Sequence, residues 1–323
     1  MIYVAEIVLE RKILMGAMSK AGAEQLSPAK LMWQMTRPHT LTATFVPITL
    51  GTVIALYETS INWMLFIALM VACLCLQIAT NLFNEYYDFK RGLDTAESVG
   101  IGGGIVRHNL KPSNVLAVAC ILYALAAVIG VYICMSTSWW LVAIGVAGMA
   151  VGYFYTGGPL PIAYTPFGEL FSGLFMGTAF ILIATFIQNE DITLLSALIS
   201  IPIGILVGAI NMSNNIRDIE EDIVGGRKTL PILLGRERSI QVLASAFVLA
   251  YGLIFLYIVL DEISIWSLLI LLSIPKPLKA IQSFKNGLNN PAVTGLAMKS
   301  TALTNTFFGA LLAIGLGVAL FLN

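Results

Sequence analysis

Charged side chains are scarce in this chain: they make up 11% of its 323 residues, against 58% hydrophobic residues and a mean hydropathy of +0.87. Soluble domains carry about 25% charged residues, so a soluble globular protein is excluded and a membrane protein is indicated. The formal net charge is zero, which excludes nucleic acid as a partner because the basic footprint it requires is missing. Histidine occurs only twice and cysteine four times. Cys73, Cys75, Cys120 and Cys134 all fall inside apolar runs. Their C-x-C pair lacks zinc-site spacing and no histidine lies near enough to complete a set, so they read as apolar filler. A secretory signal is also lacking, since Glu6, Glu10, Arg11 and Lys12 interrupt any apolar stretch there. Either Met15 or Met18 would serve as a start.

Apolar length, by contrast, is abundant. Crossing the hydrocarbon takes about 20 predominantly apolar residues. Nine runs qualify, over about 40–57, 62–83, 114–134, 138–156, 168–188, 192–212, 240–260, 263–275 and 301–322. The eighth is short before Pro275 and is completed by the residues that follow. The fold expected is all-α, a polytopic membrane bundle of about nine transmembrane helices. Residues 38–323 form a single transmembrane domain and residues 1–37 an N-terminal segment. Ser27-Pro28 signals a helix start within that segment. Leu31, Met32, Trp33 and Met35, with Lys30 and Arg37, suit a helix lying in the membrane interface.

The few charges are sorted by side. With the N-terminus in the cytoplasm, all 18 Lys and Arg residues fall in the N-terminal segment and the loops after the second, sixth and eighth helices. The outer loops keep Glu58, Glu190, Asp191, Asp261 and Glu262. The positive-inside rule then predicts a multi-pass protein of the cell membrane, with cytoplasmic inner loops and an external C-terminus.

Two inner loops also carry the acids. Asn84-Glu85-Tyr86-Tyr87-Asp88 leads on to Asp94, and Asn214-Asn215-Ile216-Arg217-Asp218 leads on to Asp222. Both contain N-x-x-x-D, a weak internal repeat. Residues four apart on a helix share one stripe, so Asn214, Asp218 and Asp222 form one ladder of oxygen ligands and Asn84 and Asp88 another. Asp94, beyond Gly92, returns from a turn. An acidic helix end is ordinarily a solvated rim, but two matched ladders facing each other near a membrane would repel strongly. Mg²⁺ resolves this, because it takes hard oxygen ligands and shares them with substrate phosphate. A diphosphate bridged by Mg²⁺ between the ladders would satisfy both. Lys90, Arg91, Arg107, Arg217, Arg227 and Lys228 could take its remaining oxygens. Gln77 and Asn81 precede Asn84 on its stripe and either face a cavity or bond between helices. His39 reads as an interfacial residue, with a bound carboxylate as its alternative partner. Gly102-Gly103-Gly104 reads as a flexible inner loop, since no strand precedes it.

Four stretches together resemble one family. They are Thr36-Arg37-Pro38-His39-Thr40-Leu41; Asn84 to Asp94 continuing through Gly100; Tyr155-Thr156-Gly157-Gly158-Pro159-Leu160-Pro161 with Tyr164 and Gly168-Glu169; and Asn214 to Asp222 followed by Gly226-Arg227-Lys228-Thr229. They are similar to the UbiA superfamily of intramembrane prenyltransferases, and most similar to its menaquinone branch, which prenylates 1,4-dihydroxy-2-naphthoate. There are two departures from the commonest pattern: Glu85 replaces an Asp, and Asp94 falls ten residues after Asn84 rather than eight.

The resemblance implies a helical bundle around a central cavity open to membrane lipid. Asn84, Asp88, Asp94, Asn214, Asp218 and Asp222 would hold Mg²⁺, and Arg91, Arg217 and Lys228 would hold the diphosphate of a polyprenyl donor. Tyr155 to Tyr164 and Glu169 would lie near the reacting carbon. The allyl cation formed when the C–O bond breaks needs a dry cavity with aromatic faces, which Tyr86, Tyr87, Tyr153, Tyr155 and Tyr164 could supply. With dihydroxynaphthoate as the aromatic acceptor, loss of CO₂ restores the ring. A sister enzyme acting on 4-hydroxybenzoate, homogentisate, haem or a lipid phosphate is the nearer alternative. A secondary transporter is the distant one, because transporter sites lie at the midplane on broken helices.

Overall fold

The computed structural model describes residues 27–93, 103–287 and 290–322. Helix is the only regular structure among them, as it must be where hydrocarbon leaves a backbone to satisfy its own N–H and C=O groups. Helix α1 (Pro28–Met35) starts at Ser27, whose Oγ accepts a hydrogen bond from the Lys30 amide at 3.3 Å. Leu31 and Met35 are buried and Trp33 is exposed, so one side of the helix packs against the bundle.

The chain then runs through α2 (Thr42–Ala55), α3 (Trp63–Lys90), the short α4 (Gly104–His108), α5 (Pro112–Ser136) and α6 (Leu141–Phe154). Next come α7 (Gly168–Asn189), α8 (Leu194–Arg217), the short α9 (Ile219–Val224) and α10 (Leu230–Leu234), α11 (Arg236–Val259), α12 (Ile265–Asn286) and α13 (Pro291–Leu322). Seven of these are long and apolar enough to cross a membrane: α3, α5, α7, α8, α11, α12 and α13. The protein is a multi-pass membrane protein. The expected nine spans thus divide into seven of full length and two shorter apolar helices, α2 and α6, of 14 residues each. At 1.5 Å per residue these rise about 21 Å, less than the hydrocarbon thickness of about 30 Å. In α12 the first half, Ile265–Ser273, is wound as a 3₁₀ helix, and Pro275 opens an α-helical second half. The eighth apolar run looks short because Lys276 and Lys279 follow Pro275, although the helix continues to Asn286.

The largest buried cluster joins α2, α8, α11 and α13 through Leu50, Ile203, Phe247, Phe308 and Leu312. A second one seats α1 and α4 on α3 and α5 through Met35, Leu82, Phe83, Ile105 and Val115. Helices α7 and α8 approach backbone to backbone, and a Cβ on Gly177 would lie 2.5 Å from Gly204 Cα. Small residues at such crossings let membrane helices touch. A π-helical turn over Gly173–Thr178 falls at the contact. The start of α7 is thereby held against the end of α8, where the polar residues collect.

Candidate active site

Gln77, Asn81, Asn84 and Asp88 follow one another at three- and four-residue spacing along α3. The first two bind the segment that enters α2. Gln77 Nε2 donates to Thr40 O at 2.8 Å and its Oε1 accepts from the Thr44 hydroxyl, while Asn81 Nδ2 donates to Thr36 O at 2.8 Å. Arg37 is thereby placed over Asn84, and its Nη2 donates to Asn84 Oδ1 at 2.7 Å. Arg37 holds φ 52° and ψ 62°, a left-handed backbone that costs a non-glycine residue about 1–3 kcal/mol. Pro38 disfavours the ordinary helical alternative at this position.

Helix α8 brings the second set. It ends at Arg217, and Asp218 (φ −96°, ψ 10°) separates it from α9. The expected ladder through Asn214, Asp218 and Asp222 is therefore broken in the middle rather than carried on one continuous helix. At the break, Arg217 turns back on Asp218, with Nε–Oδ1 at 2.5 Å and Nη2–Oδ2 at 2.6 Å, and its Nη1 lies 3.0 Å from Met298 Sδ. Asp222 still reaches the same cavity because its N–H donates to Asp218 O at 2.8 Å. Beyond α9, Gly226 at φ 71° turns the chain and Arg227 crosses to the first motif. Its Nη2 lies 2.8 and 2.9 Å from the Asp88 carboxylate oxygens, and its Nη1 lies 3.0 Å from Asp222 Oδ1.

Two cavities adjoin at these residues. The polar one, of about 120 Å³, is lined by Asn84, Asp88, Arg107, Asn214, Arg217, Asp218, Asp222 and Arg227, all expected from the motifs. It is also lined by Arg37, His39, Asn211, Asn215 and Glu221, which the motif reading leaves out of the site. The apolar one, of about 400 Å³, runs past Leu76 of α3, Ala126 of α5, Gly148 of α6 and Phe175 of α7. Arg37, Asn84, Tyr155, Asn211 and Asn214 line both. Asn211 precedes Asn214 by three residues, a spacing by which sequence could have found it.

Five expected contacts fall outside both cavities. Lys90 and Lys228 are exposed. Arg91 donates to Thr156 O at 2.5 Å and Gly158 O at 2.9 Å, with the Tyr87 and Tyr164 rings 5.3 Å away, so it anchors the Tyr155–Tyr164 loop rather than facing phosphate. Tyr164 forms a platform under Arg91 and Arg227. Glu169 is held by Asn215 Nδ2 at 2.8 Å. Asp94 lies outside the described residues. Of the five tyrosines expected to face the cation, Tyr155 is the one that lines the cavities; Tyr87 and Tyr153 instead bond hydroxyl to hydroxyl at 2.7 Å.

Tyr155 Oη donates to Asn211 Oδ1 at 2.9 Å, and burial, reinforced by Glu169, pushes its phenol up so that it stays protonated. His39, read as interfacial, lines the polar cavity instead. Burial and then the Arg37 and Arg217 cations lower its imidazole to about 4, so it is neutral at neutral pH.

Four guanidinium groups (Arg37, Arg107, Arg217, Arg227) face four carboxylates (Asp88, Asp218, Glu221, Asp222) in the polar cavity. A diphosphate adds negative charge that this balanced set does not offset, which a divalent cation would. Burial pushes Asp222 up to about 7, opposed by Arg227 and reinforced by Asp218 and Asp88. Its Oδ2 is buried with no hydrogen-bond partner among the described residues. No three acidic, imidazole or thiol groups converge as a metal cluster among the described residues, but Mg²⁺ usually takes one or two carboxylates with phosphate and water. The hard oxygens of Asn84, Asp88, Asn214, Asp218 and Asp222 fit that ion.

Acids and arginines at the mouth of an apolar intramembrane cavity define a membrane enzyme built for a charged head on a hydrocarbon tail. The UbiA prenyltransferase family matches residues 44–286; the chain belongs to that family and transfers prenyl groups. It is similar to 1,4-dihydroxy-2-naphthoate octaprenyltransferase of Bacillus subtilis (strain 168), being 57% identical over 305 residues that cover 93% of this chain and 98% of that protein. The protein of the same name from Mycobacterium tuberculosis (strain ATCC 25618 / H37Rv) is 29% identical over 274 residues, covering 83% of this chain and 92% of its own. A solved UbiA homolog from Archaeoglobus fulgidus bound to GPP and Mg²⁺ shares the fold, with a TM-score of 0.60 at 14% identity over 87% of this chain and 99% of that one.

Proposed function

We propose that this chain transfers a polyprenyl group from polyprenyl diphosphate to 1,4-dihydroxy-2-naphthoate, releasing diphosphate and CO₂, in menaquinone biosynthesis. The observation that carries this reading is the junction of the two cavities: a charged head fits the polar one, a prenyl tail fits the apolar one, and five residues line both. The 57% identity to the Bacillus subtilis enzyme supports the acceptor, and the ligands of the Archaeoglobus fulgidus homolog support the donor and the metal. The distribution of Lys and Arg supports a cell-membrane protein whose N-terminus and polar cavity face the cytoplasm and whose C-terminus lies outside.

Mg²⁺, when bound, supplies positive charge that stabilises the departing diphosphate. Asn84, Asp88, Asn214, Asp218 and Asp222 would hold it, and Asp94 is assigned with them from its place in the first motif. Arg107, Arg217 and Arg227 donate to phosphate oxygens as the allylic C–O bond breaks and its electron pair leaves with diphosphate. The apolar walls exclude water from the allyl cation, and protonated Tyr155 stands beside it. Arg37, the guanidinium that lines both cavities, puts positive charge next to the acceptor's carboxylate. The acceptor's ring carbon that bears the carboxylate forms the new C–C bond, and CO₂ departs from that same carbon, its C–C electron pair returning to the ring.

The test uses purified protein in lipid with 1,4-dihydroxy-2-naphthoate, a polyprenyl diphosphate and Mg²⁺, the products being read by mass spectrometry. A prenylated, decarboxylated naphthoquinol is expected. It should vanish with EDTA and in an Asp88→Asn, Asp218→Asn variant. Transfer to 4-hydroxybenzoate instead would retain the prenyltransferase and overturn the acceptor.

A further inference from the structure

Glu85 sits between Asn84 and Asp88 in sequence yet lines neither cavity. It is 2% exposed, and its carboxylate is taken up by backbone amides. Gly103 N–H reaches Oε1 at 2.7 Å and Oε2 at 2.9 Å, and Ile105 N–H reaches Oε1 at 3.3 Å. One residue round a helix is about a 100° turn, so the neighbours that face the cavity leave Glu85 on a different side of α3.

What it grips bears on the cavity. Gly103 has φ 95°, and a Cβ there would meet Arg107 Nε at 2.3 Å, so the Arg107 guanidinium lies directly on Gly103. Arg107 N–H also donates to Gly103 O at 2.7 Å. Gly103 and Arg107 both line the polar cavity. On its far side α4 is seated by Ile105, which is buried, and by Gly104, where a Cβ would meet Met35 Sδ at 2.3 Å. A continuous chain of contacts therefore runs from the buried carboxylate through two amides to a guanidinium at the cavity wall.

We infer that Glu85 is a positioning residue for diphosphate binding: it fixes Gly103 and α4, holds Arg107 at the polar cavity, and is not a metal ligand. The inference rests on the diphosphate reading of that cavity. Oε1 takes both amides, and Oε2 shares the Gly103 N–H. Gln would keep one oxygen for these amides but lose the charge and set an amide –NH₂ against the Gly103 N–H, so its effect should be smaller than that of Ala. Asp would withdraw by about one C–C bond, roughly 1.5 Å, out of reach of both amides.

The experiment compares wild type with Glu85→Gln, Glu85→Ala, Arg107→Ala and Glu85→Ala/Arg107→Ala in detergent. It reads amide exchange over residues 103–108, binding of Mn²⁺ alone, and binding of farnesyl diphosphate with Mn²⁺. Losing these bonds is expected to speed exchange about tenfold and raise the farnesyl diphosphate Kd about tenfold. Mn²⁺ affinity should stay within about twofold, and Glu85→Ala should add less than about twofold to Arg107→Ala, as expected for one linked unit. Mn²⁺ affinity that falls as far as in Asp88→Asn, with exchange unchanged, would make Glu85 a metal ligand and overturn the inference; additivity with Arg107→Ala would overturn it too. If Glu85→Ala does not fold, Gly103→Ala retains Glu85 but displaces Arg107, and an unchanged farnesyl diphosphate Kd there is equally fatal. None of these readouts needs an acceptor, so they survive an error about naphthoate. Wild type that bound no farnesyl diphosphate would sink the functional reading and this inference together.

Discussion

Arg227 and Asp88 are 139 positions apart in the chain, and Arg227 Nη2 lies 2.8 and 2.9 Å from the two Asp88 carboxylate oxygens. Because Nη1 also reaches Asp222 at 3.0 Å, one cation ties the first acidic motif to the second. Arg227→Gln leaves two buried carboxylates facing each other, and breaking such a pair costs about 3–5 kcal/mol. The expected result is a large drop in thermal midpoint without Mg²⁺ and a larger Mg²⁺-induced rise than in wild type, since the divalent ion replaces the lost charge. Thermal unfolding in detergent with and without Mg²⁺ checks this, and equal Mg²⁺ increments in the two proteins would refute it.

Arg37 combines a strained backbone with a contact to Asn84. Arg37→Gly removes the strain and the guanidinium together, whereas Arg37→Gln removes only the guanidinium. Both variants should lose about 10²-fold in kcat/KM, about 3 kcal/mol of transition-state stabilisation, while Arg37→Gly keeps its stability within about 1 kcal/mol of wild type. Steady-state kinetics beside thermal unfolding separate the two effects. Near-normal activity in Arg37→Gly would show that the guanidinium at the junction is dispensable.

His39 gives a pH dependence of known sign. Its folded-state value of about 4 lies below the ordinary 6.5, so between these values the unfolded chain binds the proton first. Stability is complete above about 6.5 and declines as pH falls toward 4. On going from pH 7 to pH 5, wild type should lose about 2 kcal/mol more than His39→Gln. Denaturant unfolding at the two pH values measures this, and a constant difference between the proteins would count against a buried, neutral imidazole.

Much of this arrangement is legible in the chain because hydrocarbon imposes period and length. The nine apolar runs, the helix start at Ser27-Pro28 and the shared stripe of Asn84 and Asp88 follow from spacing, and the matched second motif on the same side points to Asn214, Asp218 and Asp222 as their partners. The unread part depends on contacts remote in sequence. Arg91 sits among the inner-loop cations exactly as Arg227 does, and no local pattern says that one anchors carbonyls of the 155–164 loop while the other bridges carboxylates. Arg37 lies on an entry segment whose position is set by Gln77 and Asn81, residues that read equally as cavity lining or helix–helix bonds. Both are true of them, and that dual role is visible only once α3 and the segment are packed together.

Gly145 and Gly148 stand almost one turn apart on α6, both line the apolar cavity, and a Cβ at either meets no atom within 4 Å. A side chain added there enters space assigned to the prenyl tail rather than a neighbouring helix. A leucine side chain is close in size to one isoprene unit, so Gly148→Leu should leave the polar cavity intact and shorten the tail that fits. Helix propensity should improve by about 1 kcal/mol over glycine, so the variant should not unfold more easily than wild type. The preference for geranylgeranyl over a heptaprenyl donor, as a ratio of kcat/KM, should rise about tenfold, the discrimination that small changes in an apolar pocket provide. Competition between the two donors, read by product mass, measures that ratio directly. A variant that slows both donors equally would place the long tail outside this cavity, extending into lipid past α6, and the cavity would then hold only the units nearest the diphosphate.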